Sequence, residues 1–116
     1  MASVPPKFNT GQSASPVYHP KETALKTQKT VAVDNTRDKI LDSFAERKGF
    51  IITNNGGTNC YIGNENVVEG SAAAANGGLL LTANGGSLTM SQVDGYTGEI
   101  HAVTAAGSTV VAVLEW

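Results

Sequence analysis

The feature that most constrains the fold of this chain is a series of Asn-Gly-Gly tripeptides separated by short apolar runs. The tripeptides lie at residues 55–57, 76–78 and 84–86, and all but one of the 13 glycines lie at or after Gly49. Asn and Gly tolerate the positive φ angles that tight turns require, so these tripeptides predict hairpin turns. Short β-prone runs bounded by such turns are typical of a β-sandwich or barrel.

The runs between the turns predict seven or eight short strands. The predicted strands cover residues 31–33, 39–41, 49–53, 59–63, 79–82, 87–90, 99–104 and 109–114. Residues 49–53 and 59–63 are expected to pair as a hairpin across residues 55–58. The sequence therefore predicts an all-β domain, a small β-sandwich or jelly-roll-like barrel.

Two segments of the chain have a less regular pattern. In residues 36–46, Ile40, Leu41 and Phe44 are compatible with a short strand and also mark one face of a short helix. We favour a strand that ends at Leu41 and is followed by a turn. Residues 64–76 are predicted to form a loop, in which the alanine run could make a single helical turn.

The last predicted strand is apolar on both of its faces. One face carries Val111, Val113 and Glu115, and the other carries Val110, Ala112, Leu114 and Trp116. A strand of this kind is usually central in its sheet or covered on both sides. Trp116 has two interpretations: a core side chain that closes the barrel, or a contact between subunits.

The front of the chain differs in composition from the remainder. All four prolines lie within the first 20 residues, among Ser, Thr, Gln and Lys. This composition is typical of an extended arm, so we predict an N-terminal arm over residues 1–35 and a β domain over residues 36–116. A domain of that size is marginal by itself. Contacts between subunits would stabilise it, and we expect a homo-oligomer, a trimer or higher.

Charge is distributed unevenly along the chain. Residues 1–48 contain all eight Lys and Arg and five of the ten acidic residues, which gives a net charge of +3. Residues 49–116 contain the other five acidic residues and no Lys or Arg, which gives a net charge of −5. The basic arm is therefore expected to lie on the acidic body of a neighbouring copy, and the alternative is that it folds back on its own body. Nucleic-acid binding is not expected, although Phe8 and Tyr18 could stack on bases, because the acidic body would repel a phosphate backbone. The chain has no apolar run of membrane-spanning length and no basic amphipathic helix, so no membrane role is expected.

The search for catalytic or metal-binding residues finds few candidates. Cys60 and His101 could form a nucleophile and base, but no catalytic motif surrounds Cys60, and a small buried thiol is commoner. Glu65 and Glu69 lack the dense carboxylate pattern of a calcium loop, and His19 and His101 belong to no zinc-ligand cluster. We expect no enzyme activity, no cofactor and no metal.

Five segments in the second part of the chain form an ordered pattern. They are RKGFIITN at residues 47–54, CYIG at 60–63, residues 79–86, GYTGEIHA at 95–102 and residues 109–116. Together they resemble a family of small β-rich virion proteins encoded by tailed bacteriophages. The resemblance covers residues 47–116 and leaves out the arm.

The resemblance implies a non-enzymatic virion protein that works in many copies. The first expectation is a capsid decoration or cement protein that docks on the major capsid protein or another virion protein through its arm and oligomerises through its β domain. The alternative is a neck or tail adaptor or a fibre anchor. A host-glycan-binding module ranks below both, because Tyr61, Tyr96 and Trp116 are expected to lie in turns and core.

The location that follows from this expectation is the virion, on the capsid surface or at the neck or tail. Synthesis in the host bacterial cytoplasm agrees with the single cysteine, Cys60, and with the lack of an apolar secretion signal. The arm residues that we expect to bind the partner are Pro5, Phe8, Pro16, Tyr18, Lys21, Lys26 and Lys29.

Overall fold

The computed structural model describes residues 24–71, 73–91 and 95–116, and in these ranges the chain forms eight β-strands and no helix. The strands are β1 Thr27–Val33, β2 Asp38–Leu41, β3 Phe50–Asn54, β4 Cys60–Gly63, β5 Leu79–Leu81, β6 Ser87–Met90, β7 Ile100–Val103 and β8 Thr109–Glu115. Each pair of neighbouring strands is antiparallel. The predicted all-β fold class is confirmed.

The strands form two four-stranded sheets that pack face to face. The first sheet has the order β1-β8-β3-β6, and the second has the order β2-β7-β4-β5. Only β4 and β5 are consecutive strands of one sheet, and every other connection carries the chain from one sheet to the other. This strand order is that of a jelly roll, a sandwich built from two Greek keys. The predicted jelly-roll-like sandwich is therefore confirmed.

The hydrophobic core lies between the sheets, because inward and outward side chains alternate along each strand. In β3, Phe50, Ile52 and Asn54 are buried, whereas Ile51 and Thr53 are partly exposed. The core cluster contains Val33, Ile40, Leu41, Phe50, Ile52, Cys60, Ile62, Leu81, Ile100, Ala102, Val111 and Val113. These inward rows hold the two sheets together and leave the outward rows for other contacts.

All eight predicted strands are present, with some ends moved. The segment 36–46 contains β2 followed by a turn, as favoured, and no helix. β1 is longer than predicted and pairs with β8 from Thr27 to Val33. Part of the predicted arm is therefore a strand of the sandwich. In the loop 64–76, no helical turn occurs among the described residues.

The predicted hairpin between residues 49–53 and 59–63 is wrong. β3 pairs with β6 and β8 in the first sheet, whereas β4 pairs with β5 and β7 in the second. The connection between them is a corner that passes from one sheet to the other. The Asn54 side chain fixes this corner, since its Nδ2 donates to the carbonyls of Thr58 (2.8 Å) and Leu81 (3.0 Å).

The amide of Asn54 links three connections at one end of the sandwich. Its Oδ1 accepts hydrogen bonds from Thr109 Oγ1 (2.7 Å), at the start of β8, and from the backbone N–H of Gly56 (3.1 Å). The Asn54 carbonyl accepts from the N–H of Gly85 (2.7 Å) in the turn before β6. Asn84 and Gly85 have φ angles of 62° and 122°, as an Asn-Gly turn predicts. This turn also carries the chain between sheets.

The last strand, β8, is central in its sheet, as predicted, with β1 and β3 on either side. Among the described residues it is covered on one face only, because Val110 is 41% exposed and Ala112 and Leu114 are partly exposed. Trp116 lies beyond the strand, outside the core cluster, and its backbone N–H donates to the carbonyl of Gly49 (3.0 Å). Its ring packs on Gly49, where an added Cβ would come within 2.7 Å of Trp116 Cζ2. The indole therefore closes an end of the sandwich and not its centre.

Candidate interaction surfaces

The described chain enters the sandwich beside the end of β8. The backbone N–H of Lys26 donates to the carbonyl of Glu115 (2.8 Å), which extends the β1–β8 pairing by one residue. Lys26 Nζ lies 3.7 Å from Glu115 Oε1 and 4.7 Å from the centroid of the Phe44 ring. Lys26 is thus bound to its own body, and Lys29 is exposed on β1. The other predicted partner-binding residues, Pro5, Phe8, Pro16, Tyr18 and Lys21, lie outside the described residues, and the assignment of all seven stays a prediction.

A buried ion pair between Arg47 and Glu115, the Arg47–Glu115 clasp, lies at this entry point. Arg47 Nε donates to Glu115 Oε2 at 2.6 Å, and both side chains are 1% exposed. Other guanidinium N–H groups donate to the carbonyls of Asp42 (2.6 Å), Tyr96 (2.8 Å) and Gly98 (3.0 Å). Glu115 Oε1 accepts from Thr27 Oγ1 (2.7 Å). Because a buried charge needs a partner and hydrogen bonds, the clasp ties β1, β8 and two loops together.

Among the residues that the structure describes, the outward face of the first sheet carries no charged side chain. Its members, from the strand register, are Gln28, Thr30, Ala32, Val110, Ala112, Leu114, Ile51, Thr53, Ser87 and Thr89. We call this surface the uncharged face. Apolar Leu114 and Ile51 are directly opposite each other, and Thr53 and Ser87 share a hydrogen bond of 3.0 Å between their hydroxyl groups. Charge depletion of this kind marks the core of a protein–protein interface.

A second uncharged surface is a cleft of about 280 Å³ between the edge strands β5 and β6. We call it the β5–β6 cleft. Its apolar walls include Phe50, Ile62, Leu79, Leu88, Met90 and Ile100, and none of its lining side chains is charged. Leu79 is 62% exposed and Tyr96, at the cleft, is 45% exposed. Tyr96 therefore lies at the surface, whereas Tyr61 is buried under the loop with Val67.

The outward face of the second sheet carries an exposed polar cluster instead. Lys39 Nζ lies 2.8 Å from Asp42 Oδ1 and 3.8 Å from Glu99 Oε2. The hydrogen bond and charge of Lys39 lower the pKa of Asp42, and the hydrogen bond from His101, with Lys39 nearby, lowers the pKa of Glu99. The hydrogen bond to Asp42 and the two carboxylates in turn raise the pKa of Lys39. Because one lysine lies between two carboxylates, both signs of charge occur together on this face.

The structure does not bring together the two side chains considered for nucleophilic chemistry. Cys60 points into the core, and burial raises the pKa of its thiol to about 11. His101 lies on the outward face of β7, where its Nε2 is 3.0 Å from Glu99 Oε1. Since Cys60 and His101 are on opposite faces of the second sheet, proton transfer between them is not possible in this arrangement.

Sequence reasoning missed the clasp and the cleft. A signal for the clasp was present, since Glu115 follows Val111 and Val113 in an inward row and a carboxylate there requires a cationic partner. The cleft had no comparable signal, because its walls come from five strands that look like ordinary apolar runs.

In the described ranges, no group of three or more His, Cys, Asp or Glu is placed to hold a metal ion. Those ranges also contain no helix of the length and hydropathy needed to cross a membrane. Comparison with protein-family models, with curated proteins and with solved structures found no match to this chain.

Proposed function

We propose that this chain is a multi-copy structural protein of a tailed-bacteriophage virion, most simply a capsid decoration or cement protein. In this role the sandwich oligomerises through its own surfaces, and the N-terminal arm docks beyond them on the capsid. The observation that carries the proposal is the uncharged face. Interface cores are depleted of charged residues relative to the rest of the protein surface, and the uncharged face shares this property.

The size of the uncharged face argues for more than one contact region per copy. Four strands at a spacing of about 4.8 Å, with up to seven residues each, span roughly 20 Å by 20 Å, or about 400 Å². A stable interface buries about 800 Å² on each partner. The face supplies only part of that area, so a further contact is needed, and the arm is the part of the chain with the length to provide it.

The clasp supports the same role, because it sets where the arm begins. Lys26 and Thr27 bind Glu115 from one side and Arg47 binds it from the other. A pull on the arm would therefore act on a buried ion pair at the end of the central strand β8 and not on a loose end. Jelly rolls occur in viral capsid proteins, and they occur equally in lectins, so the fold alone does not decide between these roles.

The proposal is tested by counting copies of the chain in purified virions with quantitative mass spectrometry. A decoration or cement protein is present in hundreds of copies, whereas a neck or tail adaptor forms a ring of roughly a dozen. Hundreds of copies support the decoration role, a dozen would replace it with the adaptor alternative, and absence from virions would overturn the proposal.

A matched deletion tests the role of the arm. Removal of residues 1–23 stops before β1 and leaves every described strand in place. We expect this variant to fold, with a cooperative transition in urea, and to be lost from virions. Full occupancy by the deleted variant would show that the arm is not the docking element.

A further inference from the structure

The floor of the β5–β6 cleft is formed by residues of the hydrophobic core. Phe50, Ile62 and Ile100 form its floor and are each less than 5% exposed, whereas Leu79 at its rim is 62% exposed. Its volume of about 280 Å³ lies at the lower limit for a small-molecule site, roughly 300–1,000 Å³. A cleft of this size, open along its length between two strands, fits a few side chains of an extended peptide.

The strands on either side of the cleft also have open edges. Among the described residues, β5 pairs only with β4, and β6 pairs only with β3. Each strand therefore presents backbone N–H and C=O groups on its outer side. A peptide that adds to such an edge gains backbone hydrogen bonds and places alternate side chains in the neighbouring pocket.

The chain contains a segment whose chemistry matches the cleft. Residues 8–18, FNTGQSASPVY, include no Asp, Glu, Lys or Arg, and they carry Phe8, Val17 and Tyr18 as large apolar side chains. The cleft is uncharged, so such a segment can bury its apolar residues there without burying a charge. The segment spans about 36 Å when fully extended, which exceeds the length of β6.

The position of the arm root favours the cleft of a different copy. β1 is one edge of the first sheet and β6 is the opposite edge, about 14 Å away across β8 and β3. The described chain at Leu25 and Lys26 continues the line of β1 beyond the end of β8, and Leu25 is 51% exposed. A segment that leaves in this direction must reverse to reach its own cleft, whereas it can enter the cleft of a second copy without reversing.

We infer that residues 8–18 of one copy bind in the β5–β6 cleft of a second copy, alongside the open edge of β6. The inference rests on the proposed role as a multi-copy building block and names the contact that joins its copies. Exchanged arms add apolar burial at each copy without a larger core. The basic residues that follow, Lys21 among them, remain outside the segment and free to bind a virion partner.

The inference is tested by disulfide cross-linking between full-length chains. One variant carries Val17→Cys and the other carries Leu79→Cys, and the two are mixed under mild oxidation. The native Cys60 is buried and its thiol pKa is about 11, so it does not compete. We expect a mixed dimer whose linked peptides, identified by mass spectrometry, join residues 17 and 79.

The matched control places cysteine at Thr89→Cys, on β6 but on the uncharged face. We expect this control to give about tenfold less mixed dimer with the Val17→Cys chain, because residue 89 is on the other face of β6 from the cleft. Equal yields at residues 79 and 89 would overturn the inference. A double variant, Val17→Cys with Leu79→Cys, that links only within one chain would also overturn it, because the segment would then occupy its own cleft.

A second variant separates this inference from the proposed function. Leu79→Lys places a charge at an exposed rim position and should leave the fold intact. If arm exchange holds the copies together, Leu79→Lys weakens self-association by about tenfold or more, because the new charge meets an apolar segment. Unchanged self-association of this variant, in a protein that virions do contain, refutes the cleft contact and leaves the virion role standing. Absence of the native chain from virions refutes the virion role whatever the cross-linking shows.

Discussion

Arg47 and Glu115, separated by 68 positions in the chain, form an ion pair with an Nε–Oε2 distance of 2.6 Å and almost no exposure to solvent. The pair lies where β1, β8 and the loop before β3 meet. Arg47 donates three further hydrogen bonds and Glu115 accepts one more, from Thr27 Oγ1, so the desolvation of the pair is compensated by geometry. The clasp thus joins a base from the front of the chain to an acid from its last strand, within one molecule.

Replacement of Arg47 should destabilise the sandwich strongly. Arg47→Met leaves the Glu115 carboxylate buried with only Thr27 and the more distant Lys26, and we expect a loss of about 3–5 kcal/mol in the free energy of unfolding. Urea denaturation measures this loss. Arg47→Lys keeps the charge but not the planar guanidinium group with its several N–H donors. Its free energy of unfolding should lie between those of the wild type and Arg47→Met.

The double variant Arg47→Met with Glu115→Leu is the control for this prediction. It removes both charges and should recover much of the stability, because apolar pairs replace buried ion pairs well. A change of less than about 0.5 kcal/mol for Arg47→Met, the range of ordinary surface substitutions, would show that the clasp is not a stabilising contact.

Asn54 should be the most sensitive polar position in the connections. Asn54→Ala removes two donated and two accepted side-chain hydrogen bonds in a fully buried site. Since each orphaned buried group costs about 1–3 kcal/mol, we expect a loss of about 2–4 kcal/mol in urea denaturation. Asn55→Ala, its exposed neighbour, is the matched control and should be nearly neutral. Equal effects at the two positions would contradict the corner role of Asn54.

The positions of the strands were predictable from the sequence, but the pairing of one strand with another was not. Short β-prone apolar runs bounded by turn residues located β3 and β8, because β-branched and aromatic residues favour strands. The pairing of residues 49–53 with 59–63 failed, because an Asn-Gly-Gly turn suits a hairpin and an inter-sheet corner equally. What distinguishes them is the side chain of Asn54, whose partners Leu81 and Thr109 are remote in sequence and therefore invisible to local patterns.

The candidate site was predictable to a smaller extent. The sequence placed partner-binding basic residues in the arm, and the structure shows Lys26 bound to Glu115 of its own chain. The uncharged face was partly visible, since Val110, Ala112 and Leu114 were recognised as a second apolar row of the last strand. Its flanking rows in β1, β3 and β6 become a surface only once the sheet order is known.

Cys60 should be unreactive in the folded protein. Its side chain is fully buried in the core, and burial raises the pKa of the thiol to about 11, so at pH 8 it is protonated and inaccessible. We expect no labelling by a thiol reagent at pH 8 except at the rate of unfolding, and complete labelling in urea. Fast stoichiometric labelling of the native protein would show that the core around β4 is open.

The exposed cluster around Lys39 should give a weak dependence of stability on pH. Asp42 and Glu99 have lowered pKa values when folded, so their contribution is present above their unfolded pKa values and is lost as the pH falls through the folded values. The raised pKa of Lys39 works in the opposite direction, and its contribution is lost as the pH rises through the folded value, above 10.5.

The measurement is urea denaturation between about pH 5 and pH 3 for the wild type and for Asp42→Asn. We expect a shallower loss of stability with acid in the variant, and a small difference, because these side chains are largely exposed and screened by salt. A steeper loss in the variant would contradict the assigned direction of the Asp42 pKa.

The most direct test of the central claim is the mass of the full-length chain in solution, measured by sedimentation velocity over a range of concentrations. The account predicts a defined multiple of the 12.0 kDa chain. It also predicts that Thr30→Glu, which places a charge on the uncharged face, shifts the protein toward monomer, whereas Ser108→Glu in an exposed turn does not. A 12.0 kDa monomer at every concentration, with its first residues protected against hydrogen exchange on its own sheets, would contradict it.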